Sequence, residues 1–469
     1  MRRFLLLFLS DLRQSYWFVP ALMTLCAVVL GIAVPWADVV VGDGWMESVP
    51  FLHALEPEGA RGILTTIAGS VIGVAGVTFS IAIASVSFAS GTYGPRLIGN
   101  FMRDRGNQFT LGTFVAAFVY CVVVLRAVQS ELSDSIGATV PQIAVLVAMA
   151  MMLASIGVLI FFIHHVPESI NIMNIAARIG ADLRRSVHTL FPDRDEDPAR
   201  TDEPERERPP SLAERGYHEQ DAYRLLAEGT GYMQRYDMAF LDRTAERNDL
   251  VVRLLIRPGS FVVEGDTAML VWPREVDEEA IEALRGGFVL GTGRTDFQDV
   301  LFLIDELVEI AARALSPGVN DPFTANICVD WLSRGMIEFA RRAPEDELLP
   351  DGNERLVAYP VTFAEVMDAA WNQSRQYVAR DRNATLHVLA ALGRIGAACP
   401  DEGRRAVAIQ HLQALAAAAT LEAEGPRVEE LEVRRREAVR VARGEDGIGG
   451  CQGAPGPTSV MQRPGARAA

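Results

Sequence analysis

Two polar clusters flank one helical stretch of this chain. Arg294, Asp296, Gln298 and Asp299 lie at its start, and Asn320, Asp321 and Thr324 lie just past its end, in RALSPGVNDPFTAN (residues 313–326). Carboxylates beside a guanidinium, amides and a hydroxyl are groups that could hold a polar ligand or a partner subunit. They also suit plain helix punctuation. Pro322 fits a first helical position and Asp321 an N-cap, where a carboxylate accepts from exposed backbone N–H groups and complements the helix dipole. Thr295 and Gln298 have the spacing of a capping box, with Val300, Ile304, Leu307, Ala311 and Ala314 as the apolar face behind it. A helix from Phe297 to Leu315 would hold the two clusters about 25–30 Å apart at 1.5 Å per residue. One subunit could not merge them into a single site; a head-to-tail or antiparallel pair could.

Other chemistry finds less support. The five cysteines, Cys26, Cys121, Cys328, Cys399 and Cys451, form no CxxC pair, so neither a zinc site nor a disulfide framework follows. Metalloprotease, P-loop, nucleophile-elbow and Cys-His signatures are missing. His164 and His165 are adjacent, which on a helix turns them about 100° apart and hinders sharing one ion; an interfacial polar anchor is the simpler expectation. Gly291 and Gly293 hint at a dinucleotide loop, but position 296 is Asp where a third glycine belongs. RPGSFVVEGD (residues 257–266) is similar to a turn of biotinyl-type domains without the lysine that carries the cofactor, and reads as a structural turn. The expectation is a protein that is not an enzyme, with no catalytic residue, no metal and no cofactor.

The elements around these residues follow from hydropathy. The 469 residues are 49% hydrophobic with a mean hydropathy of +0.15, yet 22% are charged. Both hold because the charges are segregated, scarce from Tyr16 to Val166 and dense afterwards. A net charge of −16 argues against nucleic acid, whose phosphates demand a basic surface. Four stretches free of Asp, Glu, Lys and Arg, Tyr16–Trp36, Gly62–Ala89, Phe109–Leu125 and Val140–Ile163, suit a hydrocarbon core that takes about 20 residues of helix. Short flanks set the orientation. Arg2, Arg3, Arg13, Arg96, Arg103, Arg105, Arg178, Arg184 and Arg185 fall on one side. Arg61 and Arg126 fall on the other, among Asp38, Asp43, Glu47, Glu56, Glu58, Glu131 and Asp134. The positive-inside rule then puts both termini in the cytoplasm.

The second span carries small residues at Gly69, Gly73, Gly76, Ser80, Ala84, Ser87 and Gly91, which align on one helical face. Such a stripe lets another helix approach closely inside lipid. It could equally line a pore in which hydroxyls replace part of an ion's hydration. No midplane carboxylate or basic group marks an ion-coupled relay, and four spans show no inverted repeat.

The expected fold is an α-helical membrane protein with four transmembrane helices, followed by a cytoplasmic α+β region and a mostly helical C-terminal region. Its parts are a cytoplasmic amphipathic lead-in (1–15), the transmembrane domain (16–166), a helical stalk (167–190) with the stripe Ile172, Ala176, Ile179, Leu183 and Val187, and a charged linker (191–215). A small α/β domain (216–290), a helical domain (291–445) broken near Pro344 to Gly352 and at Pro400, and a disordered tail (446–469) complete it. In the α/β part GTGYMQRYD reads as a strand ending at Asp237, the N-cap of a following helix, and LVVRLLIRPGSFVVEGDTAMLVWP reads as three strands.

Residues 78–120, GYMQRYD (231–237), RPGSFVVEGD (257–266) and GTGRTDFQDVLFLIDELVEIAARALSPGVNDPFTA (291–325) together resemble a family of predicted bacterial membrane proteins, domain of unknown function 2254. The likeness runs from about Leu12 to Thr420 and is most specific in the last block. It implies a multi-pass protein of the bacterial inner membrane with a cytoplasmic domain, and it implies no activity. The lipid bilayer, copies of the same chain and ions are the expected partners. A channel-like or permeation-related homo-oligomer is the leading functional expectation; a non-conducting scaffold or sensor is its alternative.

Overall fold

The computed structural model of the chain describes residues 17–41, 56–94, 101–102, 104–128, 140–191, 212–342, 355–358 and 360–445. The lead-in, most of the charged linker, the break at Pro344 to Gly352, Cys451 and the tail lie outside the described residues. So do Arg2, Arg3, Arg13, Arg96, Arg103, Asp43, Glu47, Glu131 and Asp134. The chain divides into two compact units, residues 1–175 and 176–469.

The first unit holds α1 (Phe18–Val41), α2 (Pro57–Tyr93), α3 (Arg105–Ala127) and α4 (Gln142–Ile170). All four are long and apolar enough to cross a membrane. Pro57 opens α2 at a position where no N–H is needed, and α4 runs on past Pro167. α3 packs against the other three helices. Its Phe114, Ala117 and Tyr120 are buried with Leu64, Val71 and Phe79 of α2 and Ala144, Ala148 and Phe162 of α4. Large side chains such as Leu25, Ile32, Ile81, Phe88, Leu153 and Ile160 stay exposed on the outside, as apolar solvent permits.

Charged groups at the helix ends match the helix dipole. Asp38 accepts from the Ile143 and Ala144 N–H groups in the first turn of α4, and Arg61 donates to the Val128 carbonyl beyond the end of α3. Two of the charges read from the sequence as membrane flanks, Asp38 and Arg61, thus satisfy backbone groups that lipid could not.

The expected stalk is corrected in one respect. Its register does not continue α4, because that helix stops before Asn171, whose side chain accepts from the Met173 N–H and starts α5 (Ile172–Leu190) afresh. The stripe of α5 is buried at Ile175, Ala176, Ile179, Leu183 and Val187. A Cβ on Gly180 would meet Trp331 at 2.6 Å, and one on Gly335 would meet Leu183 at 2.4 Å. α5 is therefore docked on a later helix, α9, and is no free rod.

In the second unit, α5 is followed by β1 (Tyr223–Leu226), β2 (Gly231–Tyr236), α6 (Met238–Arg247), β3 (Val251–Leu254), β4 (Phe261–Val262), β5 (Thr267–Trp272), α7 (Glu278–Arg285) and β6 (Phe288–Gly291). Next come α8 (Val300–Ala314), α9 (Pro322–Arg342), β7 (Leu356–Val357), α10 (Phe363–Val378), α11 (Arg382–Ala398), α12 (Glu402–Leu421) and α13 (Pro426–Ala442). The strands form two sheets, ordered β1-β5-β3-β7 and β4-β2-β6. The expected β2, Asp237 cap and three strands are present, with the Asp237 carboxylate accepting from Phe240 N–H. β7 is the surprise: two residues from the helical region return to pair in parallel with β3. Asp299, Asp381 and Asp401 cap α8, α11 and α12, and Thr362 with Glu365 forms a true capping box on α10.

Candidate functional site

The first polar cluster is a clamp around the start of α8. Asp299 is almost wholly buried; one carboxylate oxygen accepts from the Phe302 N–H at 3.1 Å, and the other accepts from Arg294 Nε at 2.7 Å. Arg294 reaches on to Asp305 with Nη1 at 2.6 Å and lies over the Phe302 ring, 5.5 Å from its centre. Burial disfavours the arginine's charge, but its bonds to the two carboxylates outweigh that and hold its pKa above the ordinary value. Gln373 of α10 donates to Asp305 at 3.3 Å. Gly259, with φ +91°, backs directly onto the Asp299 carboxylate, and any Cβ there would fall 2.2 Å from an oxygen. Nearby, Arg257 bonds Glu365 at 2.9 Å and, with the Thr362 N–H, keeps that carboxyl below its usual range against the opposing effect of burial.

The capping box expected at Thr295 and Gln298 does not form. The helix begins only at Val300, and both side chains serve the strand instead. Gln298 accepts from the Tyr236 N–H and donates to its carbonyl, at 3.0 and 3.2 Å, while Thr295 donates to Gln234 O. A strand residue with free N–H and C=O offers a side-chain amide two bonds, more than one helix terminus does.

The second cluster is the corner between α8 and α9. Asp321 accepts from the Phe323 and Thr324 N–H groups, both at 3.1 Å, and from the Thr324 hydroxyl at 2.6 Å. Asn320 adopts φ +49°, a left-handed conformation that Asn tolerates better than most residues. Its N–H is bonded to Ser316 O and the next N–H to Ala314 O, closing the turn. Behind the corner, burial and the charge of Asp321 push the Cys328 thiol up to about 12, so it stays protonated. Asp321→Ala is expected to cost about 1 kcal/mol, the usual worth of such a cap. Thermal unfolding checks this; an unchanged melting temperature with lost assembly would show that the carboxylate serves a partner instead.

Of the residues singled out from the sequence, the structure joins Arg294 to Asp299 and Asp321 to Thr324, and bonds Gln298 to the Tyr236 backbone of β2. The two clusters stay apart, separated by the 15-residue α8, or about 22 Å at 1.5 Å per residue. The residues Gly69, Gly73, Gly76, Ser80, Ala84 and Ser87 are all exposed on α2. Nothing lies within 4 Å of a Cβ built on Gly69, Gly73 or Gly76. The opposite face, with Leu64, Ile67, Val71, Ala75, Phe79 and Val86, is the one that packs within the unit.

Three polar groupings had escaped the sequence reading. Asp305 completes the Arg294 clamp. His165 contacts Asp104, the N-cap of α3, at 2.7 Å and stacks on Phe161, which gives it a partner on a neighbouring helix. The third is a ring of Asp368, Asn372 and Arg375 on α10 around the buried His411 of α12. Its signal was present, since 368, 372 and 375 share one helical face.

Four apolar helices long enough to span a bilayer, then a mixed α/β region and a helical C-terminal region, make up the architecture of a membrane protein with a large folded appendage. The chain belongs to the family described as predicted membrane protein, domain of unknown function 2254, whose profile matches residues 13–394. It is similar to uncharacterised proteins of Mycobacterium bovis and Mycobacterium tuberculosis. Each is 32% identical over 366 residues, spanning 76% of this chain and 67% of the relative. No solved structure matches the chain.

Proposed function

We propose that the protein is a channel-like or permeation-related homo-oligomer of the bacterial inner membrane, with no catalytic role. Its four apolar helices cross the bilayer, both termini lie in the cytoplasm, and the second unit gates or assembles the pore. The observation that carries this reading is the bare face of α2. A helix that buries Leu64, Val71, Phe79 and Val86 against its own bundle leaves its smallest residues uncovered, where a neighbouring copy can come closest. Permeating ions would pass beside the hydroxyls of that face.

A non-conducting scaffold or sensor is the second reading, and one observation favours it. The Thr78 and Ser80 hydroxyls donate to Val74 O and Gly76 O of their own helix, both at 2.7 Å, which leaves the stripe suited to packing. Purified protein in a planar bilayer separates the two. The channel reading expects current that Ser80→Trp reduces. Absence of current under voltage, tension and varied ions would retire it in favour of the scaffold.

A further inference from the structure

The His411 ring is a polar cluster at the interface of α10 and α12. His411 has only 6% of its side chain exposed. Arg375 Nη2 lies 3.5 Å from its Nδ1 and Asp368 Oδ1 lies 3.4 Å from its Nε2. A guanidinium can only donate, so Nδ1 must be the acceptor and Nε2 must carry the hydrogen. The circuit closes along α10: Arg375 also donates to Asn372 Oδ1, and Asn372 donates to Asp368 Oδ1. A proton added at Nδ1 would end the Arg375 contact and set two cations against each other in a buried place.

We propose that this ring is a pH-sensitive clasp: neutral His411 holds α12 against α10, and protonated His411 releases it. The charges acting on His411 come from α10, where Asp368 favours the protonated form and Arg375 opposes it; burial opposes it most and lowers its pKa from the ordinary 6.5. α11 and α13 also pack on α12. Among their ionic side chains, His387 and Arg394 pair with Asp330, Arg382 with Glu430, Arg434 with Glu437, and Arg435 and Arg436 with Glu432, while Arg427 reaches the Ala379 and Arg380 carbonyls. On α12 itself, Arg404 bonds Ala340 O and Arg405 bonds Glu402. Because the folded pKa is the lower one, the clasp is at full strength above 6.5 and weakens as pH falls below that value, until the folded pKa is passed.

Hydrogen exchange of the full-length protein in lipid nanodiscs tests this, with labelling times scaled for the chemical pH dependence of exchange. Between about pH 7.5 and about pH 5.5, a range in which histidine is the ordinary titrating side chain, α10 and α12 should lose protection while α8 keeps it. Because that range ends one pH unit below 6.5, the loss should approach about tenfold at most. His411→Gln, which can accept from Arg375 and donate to Asp368 without titrating, should abolish the pH dependence. Asp368→Asn should deepen the loss and Arg375→Gln should shrink it. Protection that ignores pH in the wild type, an equal loss in His411→Gln, or the same direction of change in both α10 variants would overturn the proposal.

Discussion

Asp299→Ala is expected to destabilise the second unit by about 3 kcal/mol, since it removes an N-cap and leaves a half-buried arginine short of a partner. Arg294 would keep Asp305, which is why the loss should stay below that of a wholly orphaned buried charge. Gly259→Ala is expected to cost about 2 kcal/mol or more, from a left-handed backbone and from a methyl group driven into the Asp299 carboxylate. The two effects should not add. Once Asp299 is alanine, the methyl group at 259 has room and only the backbone term remains, so the double variant should recover about 1 kcal/mol relative to the sum. Denaturant unfolding of the two single variants and the double variant measures the coupling directly. Additive costs would mean that the turn at Gly259 and the clamp at Asp299 are mechanically independent, contrary to the 2.2 Å that a Cβ at position 259 would leave to the carboxylate.

The elements that were legible before the structure are those whose signal is local. Four apolar runs declare themselves because lipid demands about 20 consecutive uncharged residues per crossing. Asp237 and Asp321 are legible as caps because a carboxylate at the first turn answers to backbone groups two or three residues away. Gln298 was misassigned for the complementary reason. Its choice between a helix terminus and the Tyr236 backbone is decided by a strand 62 residues earlier. β7 is hidden likewise, because Leu356 and Val357 become a strand only through β3, about a hundred positions back, and two residues carry no periodicity. The α2 stripe was visible as spacing, but which side of the helix its own bundle would cover was not. That depends on how α3 and α4 present Phe114, Ala144 and Phe162.

Two glycine-to-leucine changes should separate the helix contacts inside one subunit from those that the proposed assembly would make between copies. In α3, a Cβ on Gly112 would lie 2.5 Å from Met23 Sδ and 3.3 Å from the Pro20 backbone of α1. Gly112→Leu is therefore expected to force α1 off α3 and to unfold the first unit, an overpacking effect above the usual 1–3 kcal/mol because backbone as well as side chain must give way, roughly 4 kcal/mol. Gly73→Leu meets nothing within 4 Å in the subunit. Leucine is also the better helix former and suits lipid, so the fold should be retained or slightly strengthened. What Gly73→Leu should lose is close approach by a second copy, since a branched side chain now stands where two backbones would meet. Native mass spectrometry from detergent, read beside thermal unfolding, distinguishes the cases: Gly112→Leu should fail in both, and Gly73→Leu in assembly alone. If Gly73→Leu assembles like the wild type, the α2 stripe is no contact between subunits, and the assembly that a pore requires must be sought on another face.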